Sequence, residues 1–236
     1  MATRKDLMHM IPLYLMITIG MILLALYTDR SVTTLAEDRP IAWTKTVIVD
    51  PGHGGVDGGA TSCTGVLESQ FNLDISLRLH DVLHLLGIRS VLTRTVDESI
   101  HTEGSTIATR KVSDLKQRVK IANQTPGTVF ISIHQNYYPD SQCSGPQVFF
   151  APTDGSHAIA MELQHLLLQT LDPHSHRQAK KADGIYLMQH VTCPAVLVEC
   201  GFISNPQEEA KLRTKEYQIQ LCCVIATTLS QTIYNT

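Results

Sequence analysis

The chain has 236 residues and a formal net charge of −3 at pH 7, and 17% of its residues are charged. This length suits one domain of about 200 residues with an additional segment. The charge balance offers no basic surface for a polyanion, which argues against nucleic acid as a partner. The six cysteines form no C-x-x-C pair, which argues against a zinc ribbon or a thioredoxin-like site.

The N-terminal segment predicts a membrane anchor. Residues 10–27 are almost wholly apolar, close to the ~20 residues that a membrane-spanning helix needs, and Arg4 and Lys5 precede them. The run is long for a signal peptide. We therefore expect residues 1–28 to be a cytoplasmic tip and signal anchor and 29–44 a linker, with the rest of the chain exported. Cleavage of the anchor and secretion is the alternative.

From Thr46 onward, strand-like and helix-like patterns alternate. Short apolar, β-branched runs predict five strands, at 46–50, 89–94, 128–133, 146–151 and 195–199. Apolar residues at helical spacing predict four helices, at 68–86, 112–123, 156–171 and 217–234. The weakly periodic stretch 95–111 is predicted to be a surface loop. This order predicts an α/β fold: a single domain with a mostly parallel central sheet flanked by helices, preceded by an N-terminal transmembrane helix.

The first predicted strand runs into a glycine-rich turn that contains His53. Glycines let the backbone approach a ligand closely, and that ligand could be a phosphate or a metal. A phosphate-binding loop would need a Lys and a Ser or Thr after its last glycine, and this loop has neither. The turn therefore favours a metal. A lone turn histidine is more often structural, so this interpretation depends on the rest of the chain.

Two further predicted strands end in polar side chains. One runs directly into His134 and another into Glu199, and Glu68 begins the first long helix just after the glycine-rich turn. Because the carboxyl ends of parallel strands meet at the same edge of a sheet, we expect these residues to gather with His53.

Two imidazoles and a carboxylate are the usual protein ligands of a catalytic zinc ion. We assign them to His53, Glu68 and His134, which leaves Glu199 as a free carboxylate able to exchange protons. Such an assembly cleaves amides. A buried ion-pair partner is the alternative for Glu199, but a Glu that ends an apolar strand is costly to bury without a role.

Four short motifs carry a resemblance to a known family: DPGHGG at 50–55, Glu68 followed by Asn72 and Leu73, ISIHQN at 131–136 and LVECGFISN at 197–205. In this order they resemble the zinc-dependent N-acetylmuramoyl-L-alanine amidases of the type 3 amidase family. The resemblance extends from residue 46 to about residue 234. It implies that residues 45–236 are a zinc amidase catalytic domain.

The resemblance also implies roles for the residues gathered above. Zinc would be bound by His53, Glu68 and His134, and Glu199 would act as general base and acid. The reaction would be hydrolysis of the amide between the lactyl group of N-acetylmuramic acid and L-alanine in peptidoglycan.

The chain is similar to the germination-specific, sporulation subgroup of this family in its small size, its single anchor, its lack of a wall-binding module and the stretches 110–118 and 184–189. The subgroup implies removal of stem peptides in the spore cortex, so that a partner peptidoglycan deacetylase can complete muramic-δ-lactam. The domain would then lie in the space between the two forespore membranes. Some members work with a lipoprotein activator.

For several residues near these motifs we state an expected position or two alternative roles. Gln135, Tyr137 and Tyr138 are expected to line the substrate groove. Arg94, Arg110 and Arg118 suit either a stem carboxylate or structural ion pairs.

Cys63 and Cys143 lie in loops that could approach the same site, and a disulfide between them is an alternative outside the cytoplasm.

Two other functions remain compatible with the residues. One is a zinc carboxypeptidase that acts on peptide stems, because similar α/β folds host that chemistry. The other is a non-catalytic peptidoglycan-binding module, although such a module would have no reason to keep Glu199.

Overall fold

The computed structural model of the protein describes residues 45–125 and 127–234. Within these residues lie six strands: β1 (Thr46–Pro51), β2 (Ser90–Leu92), β3 (Thr128–Asn136), β4 (Gln147–Phe150), β5 (Lys180–Lys181) and β6 (Ala195–Phe202). Six helices accompany them: α1 (Glu68–Leu85), α2 (Ile107–Gln124), α3 (Ser156–Leu171), α4 (Tyr186–His190), α5 (Pro206–Leu212) and α6 (Lys215–Tyr234).

The strands form one sheet in the order β2-β1-β3-β6-β4-β5. The pairs β2·β1, β1·β3 and β3·β6 are parallel, whereas β4 runs antiparallel to β6 and parallel to β5. The prediction of a mostly parallel sheet is therefore confirmed. Because β1, β3 and β6 are adjacent and parallel, their carboxyl ends meet at one edge, with His134 paired in register with Glu199.

The central strands are continuous apolar runs because helices cover both faces of the sheet. On one face, α1, α3 and α6 pack side chains such as Leu79, Leu163 and Ile225 against the sheet. On the other face, α2 and α4 pack residues such as Ala122 and Met188 against it. The result is a three-layer α/β domain.

The start of α2 differs from the prediction. The helix begins at Ile107, so the last five residues of the predicted surface loop 95–111 are helical. The Thr106 hydroxyl accepts a hydrogen bond from the Thr109 amide, and the Thr109 side chain bonds the Thr106 amide in return. This capping box fixes the first turn by local hydrogen bonds. The first turn is largely exposed, which explains its weak apolar periodicity.

Among the described residues, none of the helices combines the length and apolar character that crossing a membrane requires. The anchor predicted at 1–28 and the linker predicted at 29–44 lie outside the described residues, and both stay predictions.

Candidate metal centre

The loop after β1 presents His53 in an unusual backbone conformation. Among the described residues, His53 is the non-glycine residue with a positive φ, at 58°. Its Nδ1 lies 3.0 Å from Asp57 Oδ2, and its Nε2 lies 3.3 Å from Glu68 Oε2. A carboxylate on Nδ1 selects the tautomer with a free Nε2, which is the state that binds a metal.

Two glycines of this loop are required by close packing around the site. A Cβ on Gly52 would overlap the imidazole of His134, although the φ of Gly52 is not in the left-handed region. Gly59 has a φ of 70°, and its Cβ would overlap Glu68 and His53. The glycines therefore let the backbone lie directly against the candidate ligands.

Glu68 is the first residue of α1 and is buried. Its Oε1 lies 3.0 Å from His134 Nδ1 and accepts hydrogen bonds from Asn72 Nδ2 at 3.2 Å and from the Gln135 amide at 3.2 Å. Burial alone would raise the pKa of Glu68, but the hydrogen bonds and charges of His134 and His53 outweigh it and hold the pKa well below its usual range. The carboxylate is thus ionised and oriented.

These distances fit a zinc ion. Candidate ligand atoms of His53, Glu68 and His134 all lie within 4.8 Å of one another. With bonds of about 2.0–2.1 Å, ligands at the corners of a tetrahedron stand about 3.3 Å apart. His53 Nε2 lies 3.3 Å from Glu68 Oε2 and His134 Nδ1 lies 3.0 Å from Glu68 Oε1, so each imidazole lies at about this separation from one of the two oxygens of the carboxylate. Two imidazoles and one carboxylate also leave the fourth corner free for water.

Glu199 lies on β6 directly beside His134 in the sheet. Its Oε2 is buried and has no hydrogen-bond partner among the described residues. Burial raises the pKa of Glu199 to about 7; the charge of Glu68 also raises it, whereas His134 and His53 oppose the shift. A carboxyl with a pKa near neutrality can both accept and donate a proton under physiological conditions.

The structure brings together all four residues that the sequence singled out, but it contradicts the expectation for Gln135. That side chain is buried and donates a hydrogen bond to Asn72 Oδ1 at 3.2 Å, so it supports α1 instead of lining a groove. Its direction follows from strand alternation, which points it away from its neighbour His134. Tyr137 and Tyr138, just beyond β3, are 52% and 55% exposed.

The structure also decides two alternatives that the sequence left open. Arg94 and Arg118 are buried and bind backbone carbonyls and the carboxylates of Asp50 and Asp114, so they are structural. All six cysteines, including those at positions 63 and 143, are free thiols in the structure.

Sequence reasoning missed Asp57, which contacts His53 Nδ1 and lies 3.0 Å from Lys111 Nζ. Its position four residues after the histidine is a signal that could have found it.

Comparisons with known proteins identify the family of the chain. The profile of the family described as N-acetylmuramoyl-L-alanine amidase (Amidase_3) matches residues 47–231. The germination-specific N-acetylmuramoyl-L-alanine amidase of Bacillus subtilis (strain 168) is 40% identical over 179 residues, 74% of this chain and 73% of that protein.

Solved structures show the same likeness. The CwlD amidase from Clostridioides difficile, solved in complex with the GerS lipoprotein, matches with a TM-score of 0.77 and 32% identity, over 81% of this chain and 100% of that one. An N-acetylmuramoyl-L-alanine amidase from Clostridium difficile 630 matches with a TM-score of 0.70 and 30% identity, over 81% of this chain and 98% of that one. Because the family profile matches residues 47–231, and because a relative that this chain covers to 73% is 40% identical, the chain belongs to the N-acetylmuramoyl-L-alanine amidase family.

Proposed function

We propose that this chain is a zinc-dependent N-acetylmuramoyl-L-alanine amidase, with zinc bound by His53, Glu68 and His134 and with Glu199 as the proton-transferring group. The observation that carries the proposal is the His–Glu–His cluster at the carboxyl edge of the sheet, beside a carboxylate whose buried oxygen has no hydrogen-bond partner in the part of the chain that the structure describes. Membership of a family of zinc-dependent hydrolases supports the choice of metal.

Zinc in a site of this kind lowers the pKa of water to about 7 and polarises a carbonyl group. The residues of the chain supply the rest of the chemistry. Glu199 takes a proton from the attacking water and delivers it to the amide nitrogen of L-alanine as the bond to the lactyl carbonyl breaks. Burial holds the pKa of Glu199 above its usual range, which favours uptake of a proton during the reaction.

Asp57 keeps a proton on His53 Nδ1, so that Nε2 stays available to the metal. The hydrogen bonds that Asn72 and the Gln135 amide donate to Glu68 fix that carboxylate in turn. These contacts hold the site in one geometry before substrate arrives, which lowers the reorganisation that the reaction requires.

The biological setting that we propose is the spore cortex. The support is the name of the 40% identical relative, a germination-specific amidase, and the structural likeness to CwlD. There the enzyme would remove stem peptides from glycan strands, and a peptidoglycan deacetylase would complete muramic-δ-lactam. The catalytic domain would be extracytoplasmic, held to the membrane by the predicted anchor at 1–28 or secreted if that segment is cleaved.

A lipoprotein activator is part of the proposal because the matching CwlD structure contains GerS. It belongs in the assay as an added component, since the chain could need a partner to hold zinc or substrate.

The experiment is digestion of purified peptidoglycan by the full-length chain in mild detergent, with and without Zn²⁺, followed by mass analysis of the products. Release of whole stem peptides beginning with L-alanine, only with zinc, is the expected result. Loss of single terminal residues would favour a carboxypeptidase instead. Binding without any cleavage, even with a candidate lipoprotein partner added, would favour a peptidoglycan-binding module.

A further inference from the structure

Two buried arginines converge on the backbone of the loop that carries His53. Arg94 Nε donates to the Pro51 carbonyl at 3.0 Å, and Arg94 Nη2 donates to the Gly52 carbonyl at 3.0 Å. Arg118 Nη1 donates to the same Pro51 carbonyl at 2.7 Å, and Arg118 Nη2 donates to the His53 carbonyl at 2.7 Å. Three consecutive carbonyls are thus bound by two guanidinium groups. We call this arrangement the carbonyl clamp.

The clamp is anchored in the surrounding fold through a buried ion pair. Arg118, 2% exposed, lies 2.6 Å from Asp50 on β1 and 2.6 Å from Asp114 on α2. Asp50 also accepts hydrogen bonds from Thr93 Oγ1 at 2.6 Å and from Ser132 Oγ at 2.7 Å. The arginine therefore ties the loop to two strands and a helix.

Backbone satisfaction alone does not account for the clamp. Buried carbonyls need donors, but ordinary backbone amides or a water molecule supply them in most loops. Here two guanidinium groups are buried together: burial lowers the pKa of Arg94 and the charge of Arg118 lowers it further, whereas Asp97, Asp50 and Asp114 oppose the shift. Buried charges cost desolvation energy even when they are paired, so their placement on three consecutive carbonyls needs an explanation beyond supplying donors.

The enforced geometry is the strained one at His53. A left-handed conformation in a non-glycine residue is strained and persists only where the surrounding structure enforces it. Arg118 donates a hydrogen bond to the carbonyl of His53, and Asp57 contacts the imidazole of His53 and fixes its orientation. The clamp acts on the backbone of the candidate ligand, and not on the metal.

We propose that Arg94 and Arg118 are positioning residues that hold the His53 loop in its metal-binding conformation before any metal arrives. This inference rests on the proposed function, since it takes the His–Glu–His cluster to be the zinc site. The inference also assigns an order of events: the loop adopts its conformation first, and zinc then binds to a preformed site.

Arginine-to-lysine variants of the full-length chain in mild detergent test the proposal. Lysine keeps the positive charge that pairs with Asp50. It lacks the planar guanidinium group that can donate to two carbonyls at once. Arg94→Lys and Arg118→Lys should each weaken zinc binding by about 10–100-fold, the usual effect of removing an outer-shell partner. Zinc affinity is measured by competition with a chromogenic chelator.

Arg177→Lys is the matched control. Its guanidinium also donates to a backbone carbonyl, Ser144 O at 2.8 Å, but it touches no part of the metal loop. We expect its zinc affinity to equal that of the wild type. Equal affinity in all four proteins would overturn the positioning role and leave the proposed function standing. No zinc binding by the wild type, even with the candidate lipoprotein partner added, would overturn the proposed function.

Amide hydrogen exchange on the wild-type chain gives a second test. Because this test uses no substituted protein, a folding defect of a variant cannot affect its result. The Gly52 amide donates to the Ile133 carbonyl at 3.0 Å, and the Gly54 amide donates to the Asp57 carbonyl at 2.8 Å. If the clamp preforms the loop, both amides are already protected in chelator-treated protein, before any zinc is added. Exchange at the unprotected rate until zinc is added would overturn the proposal.

Discussion

At the metal centre, every candidate ligand has a second contact that fixes its direction. Asp57 holds His53, the Gln135 amide and Asn72 hold Glu68, and the glycine backbone at position 52 lies against the ring of His134. Removal of a partner of this kind typically weakens metal binding by about 10–100-fold. The exception is Glu199, whose Oε2 has no hydrogen-bond partner within residues 45–125 and 127–234, as suits a group that must be free to move a proton.

Glu199→Gln should keep zinc and lose cleavage. The amide has the size of the carboxyl but cannot take up a proton, so we expect turnover to fall by about 10²–10⁴-fold. The checks are metal content and release of stem peptides. His134→Ala is the comparison variant and should lose both zinc and activity, because it removes a ligand. Turnover of Glu199→Gln near the wild-type rate would contradict the assigned role.

The raised pKa of Glu199 also predicts a pH dependence of stability in the metal-free protein. Its pKa rises from 4.5 to about 7 on folding, so ionisation opposes folding. The penalty is absent below pH 4.5, grows between pH 4.5 and 7, and is complete above pH 7, where it reaches about 3 kcal/mol. Glu199→Gln should therefore stabilise chelator-treated protein at pH 8 but not at pH 4.5.

Urea unfolding of both proteins at the two pH values measures this difference. The same stabilisation at both pH values would show that the effect comes from packing and not from burial of a charge.

Asp57→Asn should weaken zinc binding without removing a ligand. The neutral amide holds His53 Nδ1–H less strongly and can present its NH₂ group to that nitrogen, which favours the wrong tautomer. We expect the dissociation constant for zinc to rise by about 10–100-fold, measured by chelator competition. Lys111→Met, which removes the outer partner of Asp57, should change it far less. An unchanged constant in Asp57→Asn would contradict the role of this contact.

Sequence reasoning found the residues at strand ends and missed those that support them. The histidines at 53 and 134 and the glutamate at 199 each follow a run of apolar residues, and such runs are visible in the chain. The contact between Arg118 and the His53 carbonyl joins residues 65 positions apart. No local pattern encodes such a pairing, so the sequence left the role of Arg118 undecided.

At the scale of elements, the loop between β1 and α1 is expected to tolerate few substitutions at the positions where its backbone lies against a candidate ligand. Gly52→Ala should abolish zinc binding, because the added methyl group overlaps the His134 imidazole and displaces it. Gly65→Ala is the control within the same loop. Its Cβ meets nothing within 4 Å, although its φ of 90° is strained for alanine.

We therefore expect Gly65→Ala to lose about 1 kcal/mol of stability and to keep zinc. Metal content and thermal unfolding distinguish the two variants. Normal zinc content in Gly52→Ala would mean that the close contact between the backbone and His134 is not needed.

Long elements were predictable and short ones were not. The helices now seen at Glu68–Leu85 and Ser156–Leu171 have many buried apolar residues at helical spacing, and the prediction of each was accurate to within one residue. The short helices Tyr186–His190 and Pro206–Leu212 are stabilised by tertiary packing and by caps such as Asn205, whose side chain accepts from two amides. Too few residues carry the periodicity there for it to be recognised.

At the scale of the whole molecule, the site depends on the order of the strands. The sheet places β1, β3 and β6 side by side, so residues distant in the chain meet at one edge. The apolar layers on both faces of the sheet are complete without a metal. The domain is therefore expected to fold first and to bind zinc at its edge, in contrast to small domains that need zinc to fold.

The most direct test of the account is an anomalous diffraction map of zinc-loaded crystals, collected at the zinc absorption edge. The account predicts one strong peak about 2.0–2.2 Å from His53 Nε2, His134 Nδ1 and an oxygen of Glu68, with Glu199 nearby but not bound to it. A peak at other residues, or zinc-loaded crystals with no peak between these three side chains, would contradict it.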